Sequence, residues 1–326
     1  MAEGRRRPAP EFLRLRRVRD ARLVARPVLD DWSGGAGVVD CSDGQAFVRG
    51  SGSRRMGRDQ IPAPQLPVGE PVARHDVAVF GGYLYDHYGH FLLESTARLW
   101  LPGLGDDVPV VWIANWTETI SPWMHEVLDL IGLGPRREVV TSAGPVAVGE
   151  LALADPGFEF GAFMHRWHAQ RLQSVPCAPS GRHVWLSRSA LRPISGLDDD
   201  LELEDRLRAA GWDVVHPETL SVREQVAVLG SAVHVAGLEG SALHTLALLR
   251  GFAGVVDLFT RQEHVNFELV AEACAIEQTR HVLPGATPRE RQKERGTDVQ
   301  WSGLDIDATL RVLERSCREH GHPPAG

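Results

Sequence analysis

The segment AVHVAGLEGSALHTLALL, residues 232–249, decides how the chain is read. Its apolar start, 232–236, predicts a buried strand, and 241–249 predicts a helix. Between them, Gly237-Leu238-Glu239-Gly240-Ser241 predicts a tight turn. A turn that opens a helix directs free backbone N–H groups and the positive end of the helix dipole toward an anion. Gly237 and Gly240 let the main chain approach a phosphate closely, and Ser241 adds a hydroxyl and a helix cap. The third glycine of the dinucleotide fingerprint is missing, and no lysine follows as in a Walker loop. The same residues also fit a plain β–α turn whose glycines serve only the bend. Position favours the first reading, since open α/β sheets bind ligands at the carboxyl ends of their strands.

The alternation continues on both sides. Upstream, 183–186 reads as a strand ending in Ser187-Arg188. A helix follows from Asp198-Asp199-Asp200 to Ala210 and stops at Gly211; the carboxylates suit its N-terminal dipole better than a metal. Residues 212–215 form a short strand, and Ser221 with Glu224 is a capping box opening the next helix. Downstream come a strand at 255–259 and a helix at 267–274. Strands alternating with helices in this way predict parallel βαβ units. Arg188, at a strand end, has the donor fork that fits a diphosphate. It also fits an ordinary surface residue, because the chain has thirty-four arginines and one lysine, Lys293. Asn266 and Glu268 suit hydrogen bonds to a ribose or base, and Asn266 equally suits a helix cap. Residues 284–302 are polar without period and read as a linker, followed by an amphipathic helix at 305–317.

In the first half, regular order begins at His75, with strands at 77–80 and 109–113 and helical spacing over 90–100 and 122–131. All three tyrosines, Tyr83, Tyr85 and Tyr88, fall within six positions, beside Asp86, His87, His90 and Glu94. Tyrosine offers an apolar face and a hydroxyl, a lining suited to a sugar. His90 and Glu94, four apart on a helix, share one face. They form a candidate base and orienting carboxylate, with the order of roles open. A metal reading of His87, His90 and Glu94 matches no zinc spacing. Before His75, Pro62, Pro64, Pro67 and Pro71 break the chain into turns. The division is therefore 1–75, a partly irregular extension; 76–178, a first α/β domain; 179–285, a second; and 286–326, a linker and terminal helix.

Composition sets the outer limits. The 326 residues, 43% hydrophobic and 24% charged, fit a globular protein of about two domains. A net charge of −8 argues against a nucleic-acid partner. The arginines at 5–7, 14, 16, 17 and 19 read as a solvated tail, with contact to an anionic membrane surface as the sharper alternative. Cys41, Cys177, Cys274 and Cys317 are far apart and fit reduced thiols better than disulfides or a zinc site. No apolar run reaches membrane-span length and no signal peptide is visible. The expectation is a soluble cytoplasmic protein, working at the inner face of the membrane if its acceptor lies there.

Two sets of segments resemble glycosyltransferase family 61, in particular its bacterial branch of capsular polysaccharide biosynthesis proteins. One is Gly89-His90-Phe91-Leu92-Leu93-Glu94 with Arg98-Leu99-Trp100. The other runs from Trp185-Leu186-Ser187-Arg188 through Gly211-Trp212, 216–221 and Glu224-Gln225 to 237–244. The resemblance covers roughly residues 75–285. It implies an α/β protein of GT-B type, with two Rossmann-like domains facing a cleft, and an inverting transfer from a nucleotide-sugar to a hydroxyl of a glycan or other acceptor. The nucleotide-sugar is then a co-substrate, and neither metal nor other cofactor is expected. Donor contacts are implied for Arg188, Gly237, Gly240, Ser241, His244 and Asn266, acceptor contacts for Tyr83, Tyr85, Tyr88 and His87, and catalysis for His90 and Glu94. Many members have His-Gly-Ala in the turn and an Asn soon after, where this chain has Glu239, Gly240, Ser241 and His244. A carboxylate repels a diphosphate, so Glu239 is expected to face a ribose, the acceptor or solvent. That departure also keeps a decayed, non-catalytic glycan-binding scaffold open as an alternative, beside a pyruvyl or phospho-sugar transferase.

Overall fold

The structure, a computed structural model, describes residues 6–26, 34–101, 107–191, 199–261, 265–292 and 297–322. Arg5, Asp198 and Lys293 lie outside the described residues. The chain divides into two compact units, 1–174 and 175–326.

The first unit is built on a seven-stranded mixed sheet. Its strands are β1 (Leu15–Val24), β2 (Gly37–Asp40), β3 (Ala46–Phe47), β6 (Ala73–Leu84), β7 (Val110–Ala114), β8 (Arg137–Val140) and β9 (Val146–Ala154). They lie in the order β3-β2-β1-β9-β6-β7-β8. β9, β6, β7 and β8 are parallel, as a βαβ reading requires. β1 joins antiparallel to β9 and continues into β2 and β3. The residues before His75 thus supply three strands of the sheet as well as irregular chain. Their inward side chains, Val18, Ala21 and Leu23, pack with Phe80, Ile113 and Leu151 in one core. The arginines of β1 face outward, where Arg16 and Arg17 pair with Asp155 and Glu150, so this strand is not a free basic tail. A two-residue hairpin, β4 (Arg54–Arg55) with β5 (Arg58–Asp59), precedes β6. A second, β10 (Phe158–Glu159) with β11 (Phe163–Met164), follows β9.

In the second unit, the strands are β12 (Val175–Pro176), β13 (Arg182–Leu186), β14 (Asp213–Val215), β15 (Ala232–Leu238), β16 (Leu249–Arg250), β17 (Val255–Thr260) and β18 (Glu277–Val282). Five of them form a fully parallel sheet in the order β14-β13-β15-β17-β18. Successive strands leave β13 in one direction and then, from β15 onward, in the other. The reversal puts a topological switch point between β13 and β15. One face carries Trp185, Ala236, Leu238 and Phe259 against the helices Asp200–Ala209 and Ile306–Glu319. The capping box at Ser221 and Glu224 is present. Residues 287–302 are not a structureless linker: β19 (Thr287–Gln292) and β20 (Thr297–Ser302) pair as an antiparallel hairpin, held by main-chain bonds that need no apolar period. Asp199 accepts backbone N–H bonds from Gly303 and Leu304. No helix among the described residues is long and apolar enough to cross a membrane.

The first unit also contains a built-in acid sensitivity. His168, on the helix Arg166–Leu172, is fully buried, and burial pushes its pKa from 6.5 down to about 3. The folded ring stays neutral while the unfolded chain takes up a proton below its ordinary pKa. The unfolded state then binds more protons between those two values, so stability falls as pH drops through that window. The expected loss is about 2 kcal/mol between pH 7 and pH 5. Urea unfolding at the two pH values measures it, and His168→Leu should show a smaller difference. Equal losses in the two proteins would show that this ring is not the source.

Candidate functional site

Two clusters stand at the carboxyl ends of parallel strands, one in each unit. The first follows β6. A bulge there, with Gly82 at φ 104°, shifts the register against β7. Beyond the strand, Tyr88–His90 makes a short helical turn, and Phe91–Ser95 continues as a π-helix. The expected regular helix over 90–100 is therefore one widened turn, a form that often marks functional sites. It places Glu94 beneath His90, with Nδ1 of His90 2.5 Å from Oε1 of Glu94.

A third residue completes this group. Arg55, from the β4 hairpin, donates through Nε and Nη2 to both Glu94 oxygens at 2.9 and 3.0 Å. Its guanidinium also lies over the rings of Tyr85, Trp116 and Phe160, at 5.0, 5.6 and 5.3 Å. A fork held bidentately and stacked on aromatic faces is a rigid arrangement that lysine does not reproduce. The Glu94 side chain is 8% exposed and that of His90 is 20% exposed. The imidazole is the member open to solvent, and the carboxylate lies behind it. With Nδ1 engaged by Glu94, Nε2 is the nitrogen left to meet a reactant.

The tyrosines separate. Tyr88 is half-buried against Trp123, and His87 is exposed beside His90. Tyr83 does not line a surface: its ring is in the core and its hydroxyl donates to the Ala36 carbonyl. The strand's alternation resumes after the bulge and turns it inward. Tyr85 is buried too, bonded to Ser53 and packed on Trp116. Burial raises the pKa of both phenols, that of Tyr85 to about 12. Arg55, Trp116 and Phe160 were not legible as site residues, since each comes from a separate segment.

The second cluster occupies the switch point. β15 runs through Leu238, two residues beyond the strand end expected from the sequence. Gly237 is thus a strand residue, not part of the turn. A Cβ there would lie 2.9 Å from the Leu186 carbonyl oxygen, so this glycine serves the close approach of β13 and β15. The turn itself is Glu239-Gly240, and Ser241–Leu248 is a 3₁₀ rather than an α-helix. Arg188, just past β13, donates through Nη1 to the Glu239 carbonyl at 2.5 Å. Gly240 packs directly on that guanidinium: an added Cβ would fall 2.3 Å from Nη1. Burial and the neighbouring charge of Arg261 lower the pKa of Arg188.

Glu239 does not face solvent. Its side chain is 9% exposed, and Oε1 accepts from Nε of Arg261 at 2.9 Å. Arg261 follows β17, so the ends of three adjacent strands meet here with two arginines against one carboxylate. Its neighbour offsets the repulsion that Glu239 would exert on an anion. Oε2 of Glu239 is buried without a hydrogen-bond partner among the described residues. Behind the strand end, Ser187 donates to the buried Glu204 at 2.5 Å. Burial raises the pKa of Glu204, but bonds from Ser187, Ser189 and Arg208 outweigh it and hold the carboxylate below its usual range. His244 is buried and stacks on Phe267 at 4.7 Å. Asn266 is buried in the first turn of the helix Val265–Cys274.

An α/β chain with a parallel sheet, a polar switch point and a histidine–carboxylate pair at a second set of strand ends has the layout of a group-transfer enzyme. The family model of glycosyltransferase 61 matches residues 88–256, just over half of the chain, and the protein belongs to that family of glycosyltransferases. The match spans His90, Glu94, Arg188 and Gly240 and leaves Arg55, Arg261 and Asn266 outside it. No match is found among curated proteins.

Proposed function

We propose that the protein is an inverting glycosyltransferase of GT-B type that moves a sugar from a nucleotide-sugar to a hydroxyl of a glycan. The observation that carries this reading is the switch point, where Arg188 and the Gly240-Ser241 main chain converge. The donor diphosphate rests against the N–H groups that open the 3₁₀ helix, which have no acceptor within the helix. Arg188 and Arg261 add positive charge where the leaving group gains negative charge. Ser241 offers its hydroxyl to the same phosphates, while His244 and Asn266 shape the wall behind.

His90 takes the acceptor proton. Its Nε2 accepts the hydroxyl hydrogen as the oxygen attacks the anomeric carbon. The bond from that carbon to the phosphate oxygen breaks, and its electron pair leaves with the nucleoside diphosphate. Glu94 holds the imidazole in the acceptor tautomer and stabilises the imidazolium, and Arg55 holds Glu94. His87 and Tyr88, the accessible members of their cluster, contact the acceptor. The arginines and backbone dipoles supply the positive field, so the transfer needs no metal.

A panel of UDP-, GDP- and CMP-sugars, read by thermal unfolding, tests this reading. A ligand that binds only the native state raises its apparent stability. One nucleotide class should raise the midpoint in the native protein and fail to do so in Arg188→Ala. Uniform silence across the panel, with glycans still bound, would instead support a non-catalytic scaffold.

A further inference from the structure

At the amino ends of the same strands, on the face covered by the helix Ile306–Glu319, three side chains converge that the transfer does not use. His183 is the second residue of β13, His234 the third of β15, and the two are register partners on neighbouring strands. Strand alternation puts both rings on the helix side, where Cys317 descends from the last turns of the helix. The Cys317 Sγ is 3.3 Å from Nδ1 of His234 and 3.7 Å from Nδ1 of His183, and all three ligand atoms lie within 4.8 Å of one another. Each of the three residues is buried. Trp212 closes the cluster, its ring 5.2 and 4.9 Å from the two imidazoles.

From this geometry we propose that His183, His234 and Cys317 form a structural zinc site that ties the C-terminal helix to the sheet. A tetrahedral ion with Zn–S near 2.3 Å and Zn–N near 2.0 Å requires sulfur–nitrogen edges of about 3.5 Å. The two observed sulfur–nitrogen separations bracket that length. Thiolate and imidazole are the donor set that suits zinc among the common divalent metals.

The surroundings support the same assignment. Nε2 of His234 is 2.7 Å from Oδ2 of Asp257, and Nε2 of His281 is 2.7 Å from Oδ1. An Nε2–H donated to Asp257 leaves the Nδ1 lone pair of His234 aimed at the sulfur, the outer-shell arrangement usual for a ligating histidine. Charge also balances: the Cys317 thiolate and the Asp257 carboxylate together offset a dication. Among the described residues, the ion-pair partners of Asp257 are His234 and His281. Just past the helix, the His322 N–H donates to the Cys317 carbonyl at 2.9 Å, fixing the chain end beside the thiol. No short motif announces the site, because Cys317 is 134 and 83 residues from its two partners. It stands four residues, about 13 Å of strand, from the end that carries Ser187, and is separate from the transfer chemistry.

The test uses the untagged full chain purified without chelator. Mass spectrometry of its metals should find zinc at one equivalent per chain. After stripping, cobalt(II) should produce visible ligand-field bands with a thiolate-to-cobalt charge-transfer band, and zinc should displace them and raise the unfolding temperature. Cys317→Ser should lose the charge-transfer band, and Cys274→Ser, which removes another buried thiol, should keep it. If Cys317→Ser does not fold, the charge-transfer band of the native protein decides alone. A stripped chain that takes up neither metal, or cobalt bound without a thiolate band, would overturn the proposal and leave a hydrogen-bonded thiol–imidazole cluster.

Discussion

Replacing Arg188 with alanine should lower turnover by about 10²–10³-fold, the loss typical when one preorganised donor is removed from a developing anion. Two effects of the geometry add together. The guanidinium supplies charge at the switch point, and its bond to the Glu239 carbonyl fixes the turn that presents the Gly240 and Ser241 amides. Glu239 keeps its pairing with Arg261 in this variant, so the site is not left with an unopposed buried carboxylate. Lysine at 188 restores charge without the fork and should recover only part of the rate. Gly240→Ala approaches the same arrangement from the other side, because its Cβ would displace the Arg188 guanidinium. It should reduce turnover while leaving the arginine in the chain. Steady-state rates with the nucleotide-sugar that stabilises the native protein provide the readout, with urea unfolding as the control for folding. Near-normal turnover in Arg188→Ala would remove this residue from the donor site.

The second large effect is expected at His90. Alanine there should cost about 10²–10⁴-fold in turnover, the usual contribution of a positioned base. Donor binding should not change, because the role of His90 is to take the acceptor proton and the donor contacts are made by Arg188, Gly240 and Ser241. The Arg55–Glu94 pair also survives this substitution, so stability should change little. Glu94→Gln differs in kind. It keeps a hydrogen-bonding group beside His90 but leaves the Arg55 guanidinium among Tyr85, Trp116 and Phe160 without its counter-charge. Breaking a buried pair in this way costs about 3–5 kcal/mol, reduced here because Arg55 retains 21% exposure. Loss of rate in both variants, with loss of stability only in Glu94→Gln, identifies His90 as the base and Glu94 as its positioning residue. The opposite pattern, an active His90→Ala, would return the role of base to the carboxylate.

The parallel sheet of the second unit was legible because its apolar runs are short, regular and separated by helix signals such as the Ser221–Glu224 box. The strand Leu15–Val24 was not. Asp20 has φ 46°, and the inward residues Val18, Ala21 and Leu23 lose their even spacing across it. Period-two alternation is therefore broken in the sequence, and the outward arginines dominate the reading. The hairpin at 287–302 escaped for a related reason: main-chain pairing between polar strands leaves no apolar pattern.

The site residues divide in the same way. His90 and Glu94 are four apart, and Arg188 and Gly240 stand at strand ends, so local pattern marks them. Arg55 is 39 residues from Glu94, and Arg261 is 22 from Glu239. Among so many arginines, only tertiary proximity distinguishes these two. Gly237 shows the converse, a residue singled out by a motif whose packing against Leu186 explains it. Glu239, which seemed out of place beside a diphosphate while read alone, is explained by a partner on the next strand.

Hydrogen exchange with and without the stabilising nucleotide-sugar locates the donor on the chain, because it reports on backbone amides one segment at a time. New protection should concentrate in 239–243 and in the residues around Arg188, and should be absent in Arg188→Ala. Protection appearing elsewhere, with 239–243 exchanging as in the free protein, would contradict a donor site at the switch point.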